Sequence, residues 1–213
     1  LEKKEKKEYP NNFCKNPLDF VYFSNISSHY KYPEVFIRKL IDEILGINAT
    51  WEPINRATNK GFQSTQNLFD SPSKKIGLLE SIIFKELDTY YNKFKNEICT
   101  FIQKWPTNKR LFGWHVILKQ YGHQNVHIHP SGWLSGVIYL KVVRGLEKNE
   151  GAIEFGLNGK YYSHPESPKL VYQPQLGDII FFPSSLHHKT IPFTSDEERI
   201  IVSFDLKPKA IKR

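Results

Sequence analysis

Hydrophobic positions along this chain change period near residue 108. Before it, apolar residues recur every three or four positions; after it, every second one. In the front half, Pro33 and Glu34 open a predicted helix over 35–45, with Phe36, Leu40 and Ile44 on one face and Gly46 to end it. A second helical pattern runs over 76–105, where Leu79, Ile83, Leu87, Tyr90, Phe94, Ile98, Phe101 and Trp105 form a stripe. It predicts one long helix laid on the outside of a sheet. Residues 51–75 are polar, with Gly61 and Pro72, and read as a structured loop. The back half predicts strands at 111–121, 126–129, 134–143, 152–156, 169–173, 178–182, 187–191 and 199–206, separated by Gly, Pro and Asn punctuation. Helices followed by short strands give an α+β fold: two packed sheets or a jelly-roll barrel, with helices bracing one outer face. The division expected is a charged linker or tail at 1–10, one domain over 11–206 (helical support 11–107, jelly-roll core 108–206), and a basic tail at 207–213.

Composition narrows the function classes. The net charge of +8 invites a nucleic-acid reading, but Lys207, Lys209, Lys212 and Arg213 concentrate half of that excess in the tail. No basic stripe is interleaved with aromatics, so no specific nucleic-acid partner is expected. No apolar run reaches the roughly 18 residues of a membrane helix, and no signal peptide is visible, so a soluble cytoplasmic protein without a membrane partner is expected. Cys14 and Cys99 are too few and too far apart for a disulfide framework, which fits a reducing compartment. On that expectation the glycosylation patterns at Asn25 and Asn48 are coincidental. The chain contains no methionine, which suggests a processed product or a piece of a longer protein.

The chemistry is concentrated in histidines. Alternate residues of a strand share a face, so His127 and His129 aim two imidazoles at one point. A later strand can bring a third from His188 or its neighbour His187, which would face the other way; spacing alone does not choose between them. Three protein ligands with open positions suit a metal that does chemistry. Arg199, at the head of the apolar strand 199–206, has a guanidinium fork that suits a carboxylate, though a surface pair with Asp196, Glu197 or Glu198 fits as well. Glu154 offers a carboxylate on a neighbouring strand, and His123 a second-layer or substrate contact. Trp133 and His164 are candidates for the mouth. Ser203 shares a face with Arg199.

These residues carry a resemblance. The stretches HIHPSGWLSGVIYL at 127–140, EGAIEFG at 150–156, FPSSLHHKTIP at 182–192 and DEERIIVSFD at 196–205 resemble the double-stranded β-helix oxygenases that use Fe(II) and 2-oxoglutarate. They are most similar to the bacterial domains often found at the end of tetratricopeptide-repeat proteins. Residues 50–69, with Trp51, Gly61 and Asn67-Leu68-Phe69, resemble that family's front end. The resemblance implies Fe(II), 2-oxoglutarate and O2 as cofactor and cosubstrates, an oxygenase acting on an unidentified primary substrate, and a tetratricopeptide-repeat region as neighbour in the parent protein. It implies His127 and His188 as metal ligands, Arg199 as anchor for the far carboxylate of 2-oxoglutarate, and Tyr139 as its helper; a core aromatic is the plain alternative for Tyr139. The departure is His129, which stands where the related prolyl hydroxylases carry the Asp of H-x-D. Two rivals remain. A cupin-type metalloenzyme without 2-oxoglutarate shares the motif spacing, but no Glu follows His129 at the expected gap. A non-catalytic jelly-roll binding module would hold no metal.

Overall fold

The computed structural model describes residues 13–143, 147–159 and 162–209. The charged stretch at 1–10 and the residues beyond 209 lie outside them. Ten strands form two antiparallel sheets. The larger has the order β1 (Tyr22–Asn25), β8 (Asp178–Pro183), β5 (Leu134–Lys141), β10 (Arg199–Pro208), β4 (Lys109–Gln124), β3 (Thr58–Ser64), β2 (Ala49–Trp51). The smaller has the order β7 (Lys169–Tyr172), β6 (Ile153–Gly156), β9 (His187–Thr190). This is the α+β jelly-roll architecture that the period change predicts.

Two cores follow from strand alternation. One face of the large sheet offers Ile138, Leu140, Ile179, Phe181, Val202 and Phe204 to the helices α1 (Pro33–Leu45), α2 (Lys74–Phe94) and α3 (Thr100–Gln103). Leu40 and Ile44 of α1 and Leu79, Ile83 and Leu87 of α2 fill that layer. The other face offers Val116, Leu118, Val137, Ile180, Phe182 and Ile201 to Ile153 and Phe155 of the small sheet. The second core is the barrel interior, and the site lies at one end of it.

Four expectations change. The predicted long helix breaks after Phe94, and the chain turns through 95–99 before α3. Aromatic packing explains the break: Tyr90 and Trp105 stack with centroids 5.6 Å apart. Fifteen residues of straight helix would separate them by about 22 Å. The turn leaves Ile98, expected in the core, 92% exposed. The region 51–75, expected as a loop, contains β3, which forms a hairpin with β2 at the edge of the large sheet. Its buried positions in β3 include Thr58, Gln63 and Ser64, so no hydrophobic alternation marks it. The expected strand 126–129 is an extended segment joined to β9 by one isolated bridge, His127 to His188. Finally, β10 runs on to Pro208, past the expected end at 206.

Candidate metal centre

His127 and His129 reach the barrel mouth from the extended segment between β4 and β5. That segment is held where the His127 amide donates to the His188 carbonyl at 3.0 Å, the His188 amide donates back at 3.1 Å, and the His129 amide donates to the Ser184 carbonyl at 2.9 Å. His188 arrives from the opposite side: β8 ends at Pro183, a tight turn closes with the Leu186 amide on the Pro183 carbonyl, and β9 begins. Alternation in β9 buries His188 and leaves His187 half-exposed. The choice between the two neighbours is therefore made by strand parity.

The three rings meet. One side-chain nitrogen from each of His127, His129 and His188 lies within 4.8 Å of the other two. His127 Nε2 and His129 Nε2 are 3.2 Å apart. Two nitrogens each about 2.1 Å from one metal would be separated by about 3.0 Å at a right angle and about 3.4 Å at a tetrahedral angle. Each ring is also pinned from behind. His127 Nδ1 lies 2.7 Å from the Asn125 carbonyl, His188 Nδ1 3.1 Å from the Leu186 carbonyl, and His129 Nδ1 2.6 Å from Asp205 Oδ1. Those partners are acceptors, so each Nδ1 carries the proton and each Nε2 presents a lone pair. Burial, then the neighbouring imidazole of His129, pushes His127 down to about 4. Burial, then His127 and His129, holds His188 well below its ordinary value. Both rings stay neutral at neutral pH. Converging neutral imidazoles with bare nitrogens need a cation between them, and the donor set fits a divalent metal with sites left open.

Deeper in the barrel lies the second part of the site. Arg199 is buried at the start of β10, on the same strand face as Ile201, Ser203 and Asp205. Its Nη1 donates to the Gly151 carbonyl, its guanidinium stands 4.9 Å above the Tyr139 ring, and its Nε–H has no partner. No ion pair among the described residues engages it; Glu198 pairs with Lys119 instead. Burial lowers the Arg199 pKa, yet a guanidinium stays charged, so this is an uncompensated cation inside the protein. The buried hydroxyl of Tyr139 is also without a partner, and burial pushes it up to about 12. Arg199 thus makes no surface pair among the described residues, while Tyr139 is a fully buried core aromatic. A cavity lined by the three histidines, Tyr139, Thr190, Arg199 and Ser203 joins the two parts. Its volume of about 10 Å³ is roughly that of one water, so a five-carbon diacid would enter only with movement of these side chains. A wider cleft of about 260 Å³ opens outward from His127 and His129, walled by Gln63, Phe112 and Trp114.

Other candidates fall outside the centre. Glu154 pairs with Lys189 at 3.2 Å and does not join the histidines. His123 Nδ1 lies 3.0 Å from the Tyr121 carbonyl, on the strand that precedes the site. Trp133 stacks on Phe101 and donates to its carbonyl at 3.1 Å, which puts it in the helix layer and not at the mouth. The His164 amide is held by Asn158 in a loop. Conversely, Asp205, Ser135 and Ser184 form a buried hydrogen-bonded group behind His129 that motif reading does not reveal. The signal was available: Asp205 lies an even number of residues from Arg199 on one strand, so both face inward.

The description "Putative 2OG-Fe(II) oxygenase" belongs to a family model that matches residues 113–205. No curated protein matches the chain. Among solved structures, a Pseudomonas putida prolyl-4-hydroxylase is similar at TM-score 0.61 and 10% identity, covering 89% of this chain and 93% of that one. HygX from Streptomyces hygroscopicus, solved with nickel and 2-oxoglutarate bound, gives TM-score 0.61 at 10% identity over 93% and 88% of the two chains. The α-ketoglutarate-dependent carbocyclase SnoK from nogalamycin biosynthesis gives 0.61 at 13% identity over 92% and 85%. At such identities the likeness establishes the fold, while the family match spans β4 to β10 and includes all three histidines, Tyr139 and Arg199. The barrel half of the chain, residues 113–205, thus matches the model of the putative 2OG-Fe(II) oxygenases, and the fold as a whole is the one those solved enzymes share.

Proposed function

We propose that this protein is a 2OG-Fe(II) oxygenase, a hydroxylase in which His127, His129 and His188 hold Fe(II), and Arg199 and Tyr139 hold the distal carboxylate of 2-oxoglutarate. The observation that carries the reading is the convergence of the three rings: each Nδ1 lies against a neighbouring acceptor, and one ring nitrogen from each histidine lies within 4.8 Å of the other two. When bound, the iron and 2-oxoglutarate supply the chemistry: O2 converts the diacid to succinate and CO2, and the second oxygen atom enters a substrate C–H bond. The protein's share is positioning. The unpaired guanidinium of Arg199 and the unpaired hydroxyl of Tyr139 offer an anion a charge and a hydrogen bond in a dry site, where both are strongest. Phe182 and Ile201 line the same cavity with apolar surface. The wider cleft beside Trp114 gives the primary substrate a route to the metal face. The buried, carboxylate-free setting of Arg199 favours this reading over a cupin-type enzyme, which has no use for an inner anion anchor.

Calorimetry of 2-oxoglutarate binding to the Fe(II)-loaded protein, kept anaerobic, tests the proposal. Wild type should bind, with the weak visible charge-transfer band of the chelate. Arg199→Ala should bind about ten- to a hundredfold more weakly, since hydrogen bonds to charged groups contribute about 1.5–3 kcal/mol, while Fe(II) affinity persists. Arg199→Lys should recover little, because an ammonium cannot reproduce the fork. No binding to wild type, or equal affinity in Arg199→Ala, would overturn it.

A further inference from the structure

The carboxylate that position 129 lacks is present one layer further out. We propose that Asp205 is a positioning residue for the metal that acts through His129, fixing the ring with Nε2 bare and lending the centre the negative charge that three imidazoles do not carry. The inference rests on reading the histidine triad as a metal site.

Asp205 is 4% exposed, and the ion pairs among the described residues give it no lysine or arginine. Its partners are His129 Nδ1 at 2.6 Å and Ser135 Oγ at 2.7 Å. Ser135 stands directly opposite it across the β5–β10 ladder. The single Ser135 proton goes to the carboxylate, so Ser135 Oγ accepts from Ser184 Oγ at 2.7 Å and shares the His129 Nδ1–H at 2.9 Å. Every hydrogen bond in the group therefore runs in one direction, toward Asp205 Oδ1. A carboxylate buried without a lysine or arginine is costly, and a metal held by His129 would set a cation opposite it across the imidazole. A carboxylate behind a ligating histidine raises the basicity of the ligand and fixes its orientation.

Two further observations set His129 apart. His127 and His188 rest on neutral backbone carbonyls, so the charged acceptor stands behind the one histidine in the slot where H-x-D carries its acid. The backbone is also cut to fit the group. A Cβ on Gly132 would lie 2.5 Å from Ser184 Oγ and 3.1 Å from Asp205 Cγ, so the turn after Pro130 closes over the group only without a side chain.

The test uses the whole chain, metal-free at the start. Nitrogen-15 NMR of the histidine rings in wild type should find His129 protonated on Nδ1, with its N–H proton shifted far downfield by the short bond to the carboxylate. Anaerobic titration with Fe(II) alone should then give Asp205→Asn an affinity about ten- to a hundredfold below wild type, with an unchanged far-ultraviolet dichroism spectrum and loss of the downfield proton. Ser135→Ala should lose less, since it leaves the carboxylate in place. Equal Fe(II) affinity in wild type and Asp205→Asn would overturn the role of Asp205 and leave the triad standing. Failure of wild type to bind Fe(II) would overturn the triad, and this inference with it. A His129 ring protonated on Nε2 in wild type overturns the role of Asp205 whatever the variants do.

Discussion

Strand β10 has two faces that differ in almost every respect. Toward the helices it presents Ile200, Val202, Phe204 and Leu206, all buried in one apolar layer. Toward the barrel it presents Arg199, Ile201, Ser203 and Asp205, of which the first is an unpaired cation and the last a hydrogen-bonded anion. The same ten residues thus hold the domain together on one side and carry its chemistry on the other. The contrast teaches that the period of two separates stability from function within a single element, so a substitution should disturb one and spare the other.

The largest expected break comes on the inner side. His188→Ala removes a proposed ligand that is buried and held against the Leu186 carbonyl, and Fe(II) affinity should fall by more than the hundredfold or so expected for an outer partner. Native fluorescence and dichroism should persist. Retained Fe(II) affinity would show that the three histidines do not act as one site.

On the outer side, Phe204→Ala should lower unfolding stability by about 3–5 kcal/mol, the usual cost of truncating a buried Phe. Below its melting transition it should bind Fe(II) as wild type does. Gly136 supports the placement, because a Cβ there would lie 2.2 Å from the Phe204 ring. Urea unfolding with and without metal measures both halves of the prediction, and a loss of Fe(II) affinity in folded Phe204→Ala would mean that the two faces are coupled.

A third prediction concerns pH and sharpens the contrast. His115 of β4 shares the helix-facing parity of Leu111 and Ile117, is fully buried, and has no partner on either ring nitrogen. Burial pushes it down to about 4 from 6.5. The unfolded chain takes up the proton first, so stability is unaffected above about pH 6.5 and falls as pH drops from 6.5 toward 4, by up to about 1.4 kcal/mol per pH unit. His115→Leu should lessen that slope by up to the contribution of one proton, leaving the part due to His127, His187 and His188. An unchanged slope in the variant would show that His115 is already paired or already charged.

Much of this division is legible in the sequence. The alternation of Ile200, Val202, Phe204 and Leu206 announces the strand, and the H-x-H pattern with His188 announces the centre. Three things were hidden, each for a physical reason. The helical stripe continues in register through Ile98, and only the tertiary stacking of Tyr90 on Trp105 reveals that the chain turns back. The hairpin β2–β3 buries Thr58, Gln63 and Ser64 toward other polar groups, so it lacks the apolar signal by which strands are recognised. Parity with Arg199 puts Asp205 on the inner face, but its pairing with His129 is made by sheet closure across the barrel, which sequence spacing does not record.

The bridge between the His127 segment and β9 has a consequence for how the protein melts. Two of the proposed ligands belong to the connection that leads into the large sheet, and the third belongs to the small one. A bound ion is therefore a reversible cross-link between the two halves of the barrel, closing a long loop that the unfolded chain leaves open. Ligand occupancy at a hundred times its dissociation constant adds about 2.7 kcal/mol to folding when the unfolded chain does not bind. The melting temperature of this protein should accordingly act as a gauge of free metal, climbing with the logarithm of its concentration and falling back when a chelator is added.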